Sequence, residues 1–82
     1  MYQLRVKKKA LKEITHLPKK EQSRILMAFD FLRENPFSGK KLRGEYEGAW
    51  SLRVWPYRII YSICQNTVTV TVLRVGHRQG VY

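Results

Sequence analysis

Three β-type runs, Trp50 to Val54, Tyr57 to Ile63 and Thr67 to Val75, follow one another with only Trp55-Pro56 and Cys64-Gln65-Asn66 between them. Connections that short join only antiparallel neighbours, because a parallel pair needs a crossover of about a dozen residues or more. This stretch is therefore predicted to be a three-stranded antiparallel meander. Its last run, Val68-Thr69-Val70-Thr71-Val72, alternates strictly between apolar and polar, as in a strand with one face on a core and the other in water. The middle run is apolar on both parities, which suits a central strand.

Ahead of the meander the period changes. Tyr2 to Lys7 alternates, with Tyr2, Leu4 and Val6 on one side, and reads as a short first strand. Lys8 to Leu17 places Leu11, Ile14 and Leu17 at helical spacing, and Pro18 breaks that helix. The proline fits the first turn of a second helix from about Lys19 to Asn35, with Gln22, Ile25, Phe29 and Leu32 along one face and Leu26 and Ala28 beside them. Asn35-Pro36 ends it, since the residue before proline avoids helical angles. Pro36 to Ala49 is polar, carries Gly39, Gly44 and Gly48, and reads as a loop. The expected architecture is α+β: an N-terminal strand and a two-helix hairpin packed on one face of a small, mainly antiparallel sheet, the other face left open. With 82 residues, the chain is expected to be one domain spanning 1–82.

Charge says what the open face is for. The formal net charge is +10, and residues 50–82 carry Arg53, Arg58, Arg74 and Arg78 with no Asp or Glu at all. Arginines without local carboxylates point away from internal ion pairs and toward an external polyanion, since the guanidinium fork matches phosphate oxygens. Strand parity puts Ser51 and Arg53 on one side, with Arg58 close by across the turn, so these can converge on the exposed face. Arg74 falls by parity with Val68, Val70 and Val72. With carboxylates absent from this stretch, acid–base chemistry near the arginines is left to His77 or a tyrosine. Lys7, Lys8, Lys9 and Lys12 form a basic helix face, and Lys40, Lys41 and Arg43 a second basic group in the loop; both suit phosphate tracking. Trp55, beside Pro56, is the best placed aromatic for stacking on a base, whereas Trp50 and Tyr61 at strand spacing suit a core.

Other classes find no support. Cys64 stands alone, so neither an internal disulfide nor a cysteine metal site is available and a cytoplasmic setting is expected. There is no apolar run of membrane-spanning length, no glycine-rich phosphate loop before a helix, no cysteine–histidine cluster and no pair of carboxylates at catalytic spacing. No cofactor, metal or membrane partner is expected.

The chain resembles the RelE family within the RelE/ParE superfamily of bacterial and archaeal toxin–antitoxin systems. The resemblance runs through Ala10-Leu11-Lys12-Glu13, Lys41-Leu42-Arg43-Gly44 and Ser51-Leu52-Arg53-Val54. It is sharpest in Tyr57-Arg58-Ile59-Ile60-Tyr61 and in Val75-Gly76-His77-Arg78, followed by Val81-Tyr82. It implies a RelE-like microbial ribonuclease-type fold and a toxin that cleaves messenger RNA, in many members at the ribosomal A site against 16S ribosomal RNA. The implied partners are a cognate antitoxin, which would also mediate any contact with operator DNA, and the ribosome with its message. The superfamily's ParE branch implies the alternative of a non-enzymatic DNA gyrase inhibitor, and a plain basic nucleic-acid-binding module is the remaining reading.

Carried over residue by residue, Arg58 matches the catalytic arginine of the tyrosine–arginine strand motif, Arg78 the arginine after the glycine turn, and Tyr82 the closing catalytic tyrosine. Arg53 stands where the family often has lysine, and Ser51 where some members have a second one. Metal-free RNA cleavage needs a base for the 2′-OH, cations for the dianionic phosphorane and an acid for the leaving 5′-oxygen. Arg58 and Arg78 suit the second role, while Arg53, at a position where the family often has lysine, is a catalytic candidate but a poor proton shuttle. Tyr82 suits the base if neighbouring guanidinium groups lower a phenol from its ordinary pKa of about 10. His77 is the rival, because an imidazole can exchange protons near neutral pH without such help.

Overall fold

The computed structural model describes residues 1–77; Arg78, Gln79, Gly80, Val81 and Tyr82 lie outside the described residues. The chain runs β1 (Gln3–Val6), α1 (Lys8–Thr15), α2 (Lys19–Glu34), β2 (Lys40–Lys41), β3 (Trp50–Val54), β4 (Tyr57–Cys64) and β5 (Thr69–His77). Single 3-10 turns at Pro36–Ser38 and Gly44–Tyr46 flank β2. The five strands form one sheet in the order β1-β5-β4-β3-β2. The predicted meander is present as β3-β4-β5, antiparallel throughout. β1 joins its far edge parallel to β5, Leu4 opposite Val70 and Val6 opposite Val72, a pairing that α1 and α2 permit by carrying the chain back across one face.

Pro18 ends α1 and opens α2 as the residue capping its first turn, where its carbonyl accepts from Gln22 N–H and its missing N–H is not needed. Ile25, Phe29 and Leu32, spaced four and three apart, turn inward together with Ala10 and Ile14 of α1. They meet Ile59, Tyr61, Val70, Val72 and Val75 from the sheet, and this is the main core. Leu26, expected beside the buried stripe, is 55% exposed, as Met27 and Phe31 also are in large part.

The segment from Pro36 to Ala49 departs from the expected loop. Lys40 and Lys41 pair with Ser51 and Trp50 as an edge strand, and Leu42, Tyr46 and Leu73 pack around buried Ala49 and Ile60. The face opposite the helices is thus half covered by this segment rather than open along its length. Tyr61 anchors it: the fully buried ring sends its hydroxyl to Pro36 O at 2.8 Å and accepts Gly39 N–H at 3.1 Å. Gly39 is needed for closeness, since a Cβ there would come within 2.5 Å of the Tyr61 hydroxyl and 2.7 Å of Ser51 O. Burial raises the phenol's pKa against the smaller opposing effect of Gly39 N–H, so it stays a protonated donor to Pro36. Tyr61→Phe leaves both backbone partners unmatched and is expected to cost about 1–3 kcal/mol of stability, read by urea unfolding. An unchanged unfolding midpoint would show that Gly39 and Pro36 find other partners.

One irregularity changes the reading of β5. Ile60 lies opposite Arg74, yet Tyr61 lies opposite Val72, so Leu73 is an extra residue bulged from the ladder. Val70 and Val72 face the helices on one side of the bulge and Val75 does so on the other, while Leu73 joins the second cluster. The alternation therefore inverts, and Arg74 leaves the face of the valines where strict parity had placed it. Val68, expected within the strand, instead lies in the preceding turn at φ 51 and is 45% exposed.

Candidate functional site

β4 is central, with β3 on one side and β5 on the other, and it carries Arg58 into the middle of the face away from the helices. Arg58 pairs directly with Arg53 of β3 and with Gly76 of β5. Direct cross-strand partners share a face, so the two arginines project together, while Gly76 leaves bare backbone on the other side of Arg58. Ser51, two residues before Arg53 on the same side, is only 4% exposed; its hydroxyl sits 3.5 Å from Arg58 Nη1, a long contact. Ser51, placed by strand parity beside the arginines, is thus buried against Arg58.

Beside Arg58 lies a concavity of about 1120 Å³, walled by Lys40, Lys41 and Arg43 with Leu42, Tyr46 and Gly48. The second basic group of the sequence thus reaches Arg58. Lys7, just before α1, and Lys8, Lys9 and Lys12 of α1 are exposed but are not among this concavity's lining, so the first basic group forms a separate surface. The same wall carries Glu45 and Glu47. Carboxylates are absent from the meander but not from the site, so groups able to move protons near Arg58 are not confined to His77 and the tyrosines. Nothing in the local sequence signals this, since it follows from how the 3-10 turn at Gly44–Tyr46 folds over β4.

Arg74 behaves otherwise than expected. Its Nη2 lies 2.8 Å and its Nε 3.0 Å from Glu13 Oε2 of α1, and its Nη1 donates to the Tyr46 hydroxyl at 3.1 Å. Glu13 Oε1 also accepts Val75 N–H at 2.9 Å, beyond the reach of the short strand β1. The absence of acids from the C-terminal stretch therefore did not exclude an internal ion pair, because the partner comes from a distant helix. Burial pushes the Glu13 carboxyl up, but the hydrogen bonds from Arg74 and Val75 and the attraction of Arg74 and Lys9 outweigh it and hold the group below its ordinary value of 4.5. The stabilisation it supplies is present above that value and lost as pH falls through the lower folded-state value. We expect the thermal midpoint to drop on acidification below about pH 4.5, and Glu13→Gln to be less stable at neutral pH and to lose part of that acid dependence. Parallel midpoint-against-pH curves for the two proteins would contradict this role.

His77 is separated from the arginines. It pairs with Tyr57, its ring edge-on to that of Tyr57 at 6.2 Å, and Tyr57 packs on the helix side of the sheet. Arg58 and His77 thus occupy opposite faces. Trp55 is 56% exposed in the β3–β4 turn, while Trp50 and Tyr61 belong to the core side, as their spacing suggested. Arg78 and Tyr82 lie outside the described residues. Among the described residues no cluster of metal-ligating side chains occurs, and no helix is long and apolar enough to cross a membrane.

A family model described as the ParE toxin of the type II toxin–antitoxin system parDE matches residues 4–82. The chain is 35% identical over 83 residues to Toxin RelG of Mycobacterium tuberculosis, covering 99% of this chain and 95% of that protein. It is similar to a chain of the toxin–antitoxin complex RelBE2 from Mycobacterium tuberculosis, with TM-score 0.88 and 33% identity over 94% of this chain and 98% of that one. It is also similar to a chain of the archaeal RelE–RelB complex from Pyrococcus horikoshii OT3, with TM-score 0.80 and 28% identity over 99% and 98% of the two chains.

Proposed function

The chain belongs to the RelE/ParE superfamily of type II toxin–antitoxin toxins, and within it we propose that this protein is a metal-independent endoribonuclease that cleaves messenger RNA on the ribosome. The observation that carries this reading is the in-register pair Arg53 and Arg58 beside a concavity walled by Lys40, Lys41 and Arg43. A strand of RNA held by that wall presents a scissile phosphate to two guanidinium groups that need not reorganise as the phosphorane charge develops. The 2′-OH attacks the adjacent phosphorus, the bond to the 5′-oxygen breaks, and a 2′,3′-cyclic phosphate is left. Arg58, with Arg53 and Arg78, stabilises the extra negative charge; Tyr82 takes the 2′-OH proton, and the departing 5′-oxygen takes a proton from water. The basic face of Lys7, Lys8, Lys9 and Lys12 is free to hold ribosomal RNA while the other site holds the message. A cognate antitoxin, as in the solved complexes of the relatives, would silence the toxin by occupying the arginine face.

A second reading has its own support in the ParE description of the matching family model, and would make the chain a binding inhibitor of DNA gyrase. Translating ribosomes and gyrase, each incubated with the purified chain, separate the two. We expect cuts within the translated message and unaltered supercoiling. Intact message with blocked supercoiling would transfer the assignment to the gyrase branch.

A further inference from the structure

A second concavity, of about 480 Å³, lies around the corner of the β2 edge from the first. Phe37, Trp50, Ile63 and Lys41 supply its side walls, and Gln65 and Asn66 of the β4–β5 turn its polar rim. It shares Lys41 and Gly48 with the concavity beside Arg58. Because Lys40 pairs with Ser51 and Lys41 with Trp50, successive lysines of β2 project to opposite faces, and Lys41 lines both hollows while Lys40 lines only the first.

The lining is unusual for a leftover surface dimple. Phe37 is 48% exposed although it is a large aromatic on a turn held down by Tyr61. Its ring and that of Trp50 form a T-shaped pair with centroids 5.5 Å apart. Lys41 Nζ stands 5.7 Å over the Trp50 ring, within cation–π range. An exposed aromatic ring, a cation close by and carboxamides that can both donate and accept are what a nucleobase with its phosphate requires.

We propose that this second concavity is a nucleobase subsite for single-stranded RNA, Phe37 stacking on a base while Lys41 holds the phosphate leading to the Arg58 site. The proposal rests on the nuclease reading and extends it by giving the bound strand a path over the β2 edge. Gln65 and Asn66 meet the base edge, so the subsite contributes to which sequences are held.

The test uses the full chain and a fluorescein-labelled oligoribonucleotide of about six residues, within the site sizes of single-strand binders. Every 2′-OH is methylated, so attack is blocked and only binding is read by anisotropy. Phe37→Ala is expected to weaken binding roughly tenfold, the loss of one base–aromatic stack, with the salt dependence unchanged because no phosphate contact is removed. Phe37→Trp should restore affinity. Abasic residues walked along the oligonucleotide should weaken wild type at one position and leave Phe37→Ala indifferent there. Equal affinity of folded Phe37→Ala and wild type overturns the subsite, and so does loss confined to antitoxin binding. Message cleavage by wild type in that case leaves the nuclease reading standing, whereas a wild type that neither cleaves message nor binds the oligonucleotide removes both.

Discussion

Replacing Arg58 by alanine is expected to reduce message cleavage by about 100- to 1000-fold, the usual effect of deleting one preorganised donor to a developing oxyanion, while the protein stays folded. Arg58 combines three features that no other described arginine has together. It lies on the central strand, it is half-buried, and it lines the basic concavity while pairing in register with a second arginine. Arg74 is spent on Glu13 and Tyr46, and Arg53 is exposed on the neighbouring strand. Arg58 belongs to neither buried cluster of the core, so Arg58→Ala should leave the fold intact. Loss of activity without loss of stability is therefore the expected signature. Arg58→Lys tests geometry, because an ammonium keeps the charge but lacks the planar fork; it should recover only part of the rate. A folded Arg58→Ala protein that cleaves message at the wild-type rate would exclude Arg58 from the chemistry.

Tyr82→Phe should lower the single-turnover rate by roughly 100-fold or more, the contribution of a general base, and His77→Gln should change it little. The sequence leaves both residues in contention; the fold separates one of them from the arginines. His77 pairs with Tyr57 on the helix side of the sheet, whereas Arg58 pairs with Gly76 on the opposite side, so an imidazole base would have to act through the sheet. Phenylalanine keeps the ring and deletes only the hydroxyl, which confines the effect to proton transfer. A tyrosine base held among arginines predicts a rate that rises with pH toward the phenol range. An unimpaired Tyr82→Phe enzyme, or a rate that tracks an imidazole ionisation and disappears in His77→Gln, would hand the role to His77. Glu45 and Glu47 give a further comparison, since both line the concavity. If either carboxylate were the base, its glutamine variant and not Tyr82→Phe would carry the loss.

Local signals in the amino-acid sequence determined both helices and four of the five strands, because each depends on a few neighbouring residues; β2 was not among them. Pro18 and Asn35-Pro36 bound α2, the period of Ile25, Phe29 and Leu32 sets its buried face, and the short Trp55-Pro56 connection forces β3 and β4 together with Arg53 and Arg58 across from each other. The family is also legible in the order of its motifs. Only the tertiary structure decided which arginine lines the concavity and which braces a helix against the sheet. A single extra residue at Leu73 inverts the parity of β5, and Glu13, far away in sequence, then neutralises Arg74. Neither effect has a local signature: a bulge is a property of two strands in register, and an ion pair between distant elements exists only once the helix is packed on the sheet. For the same reason the carboxylates of Glu45 and Glu47 beside Arg58, and the separation of His77 from it, follow from packing across the sheet and not from spacing along the chain.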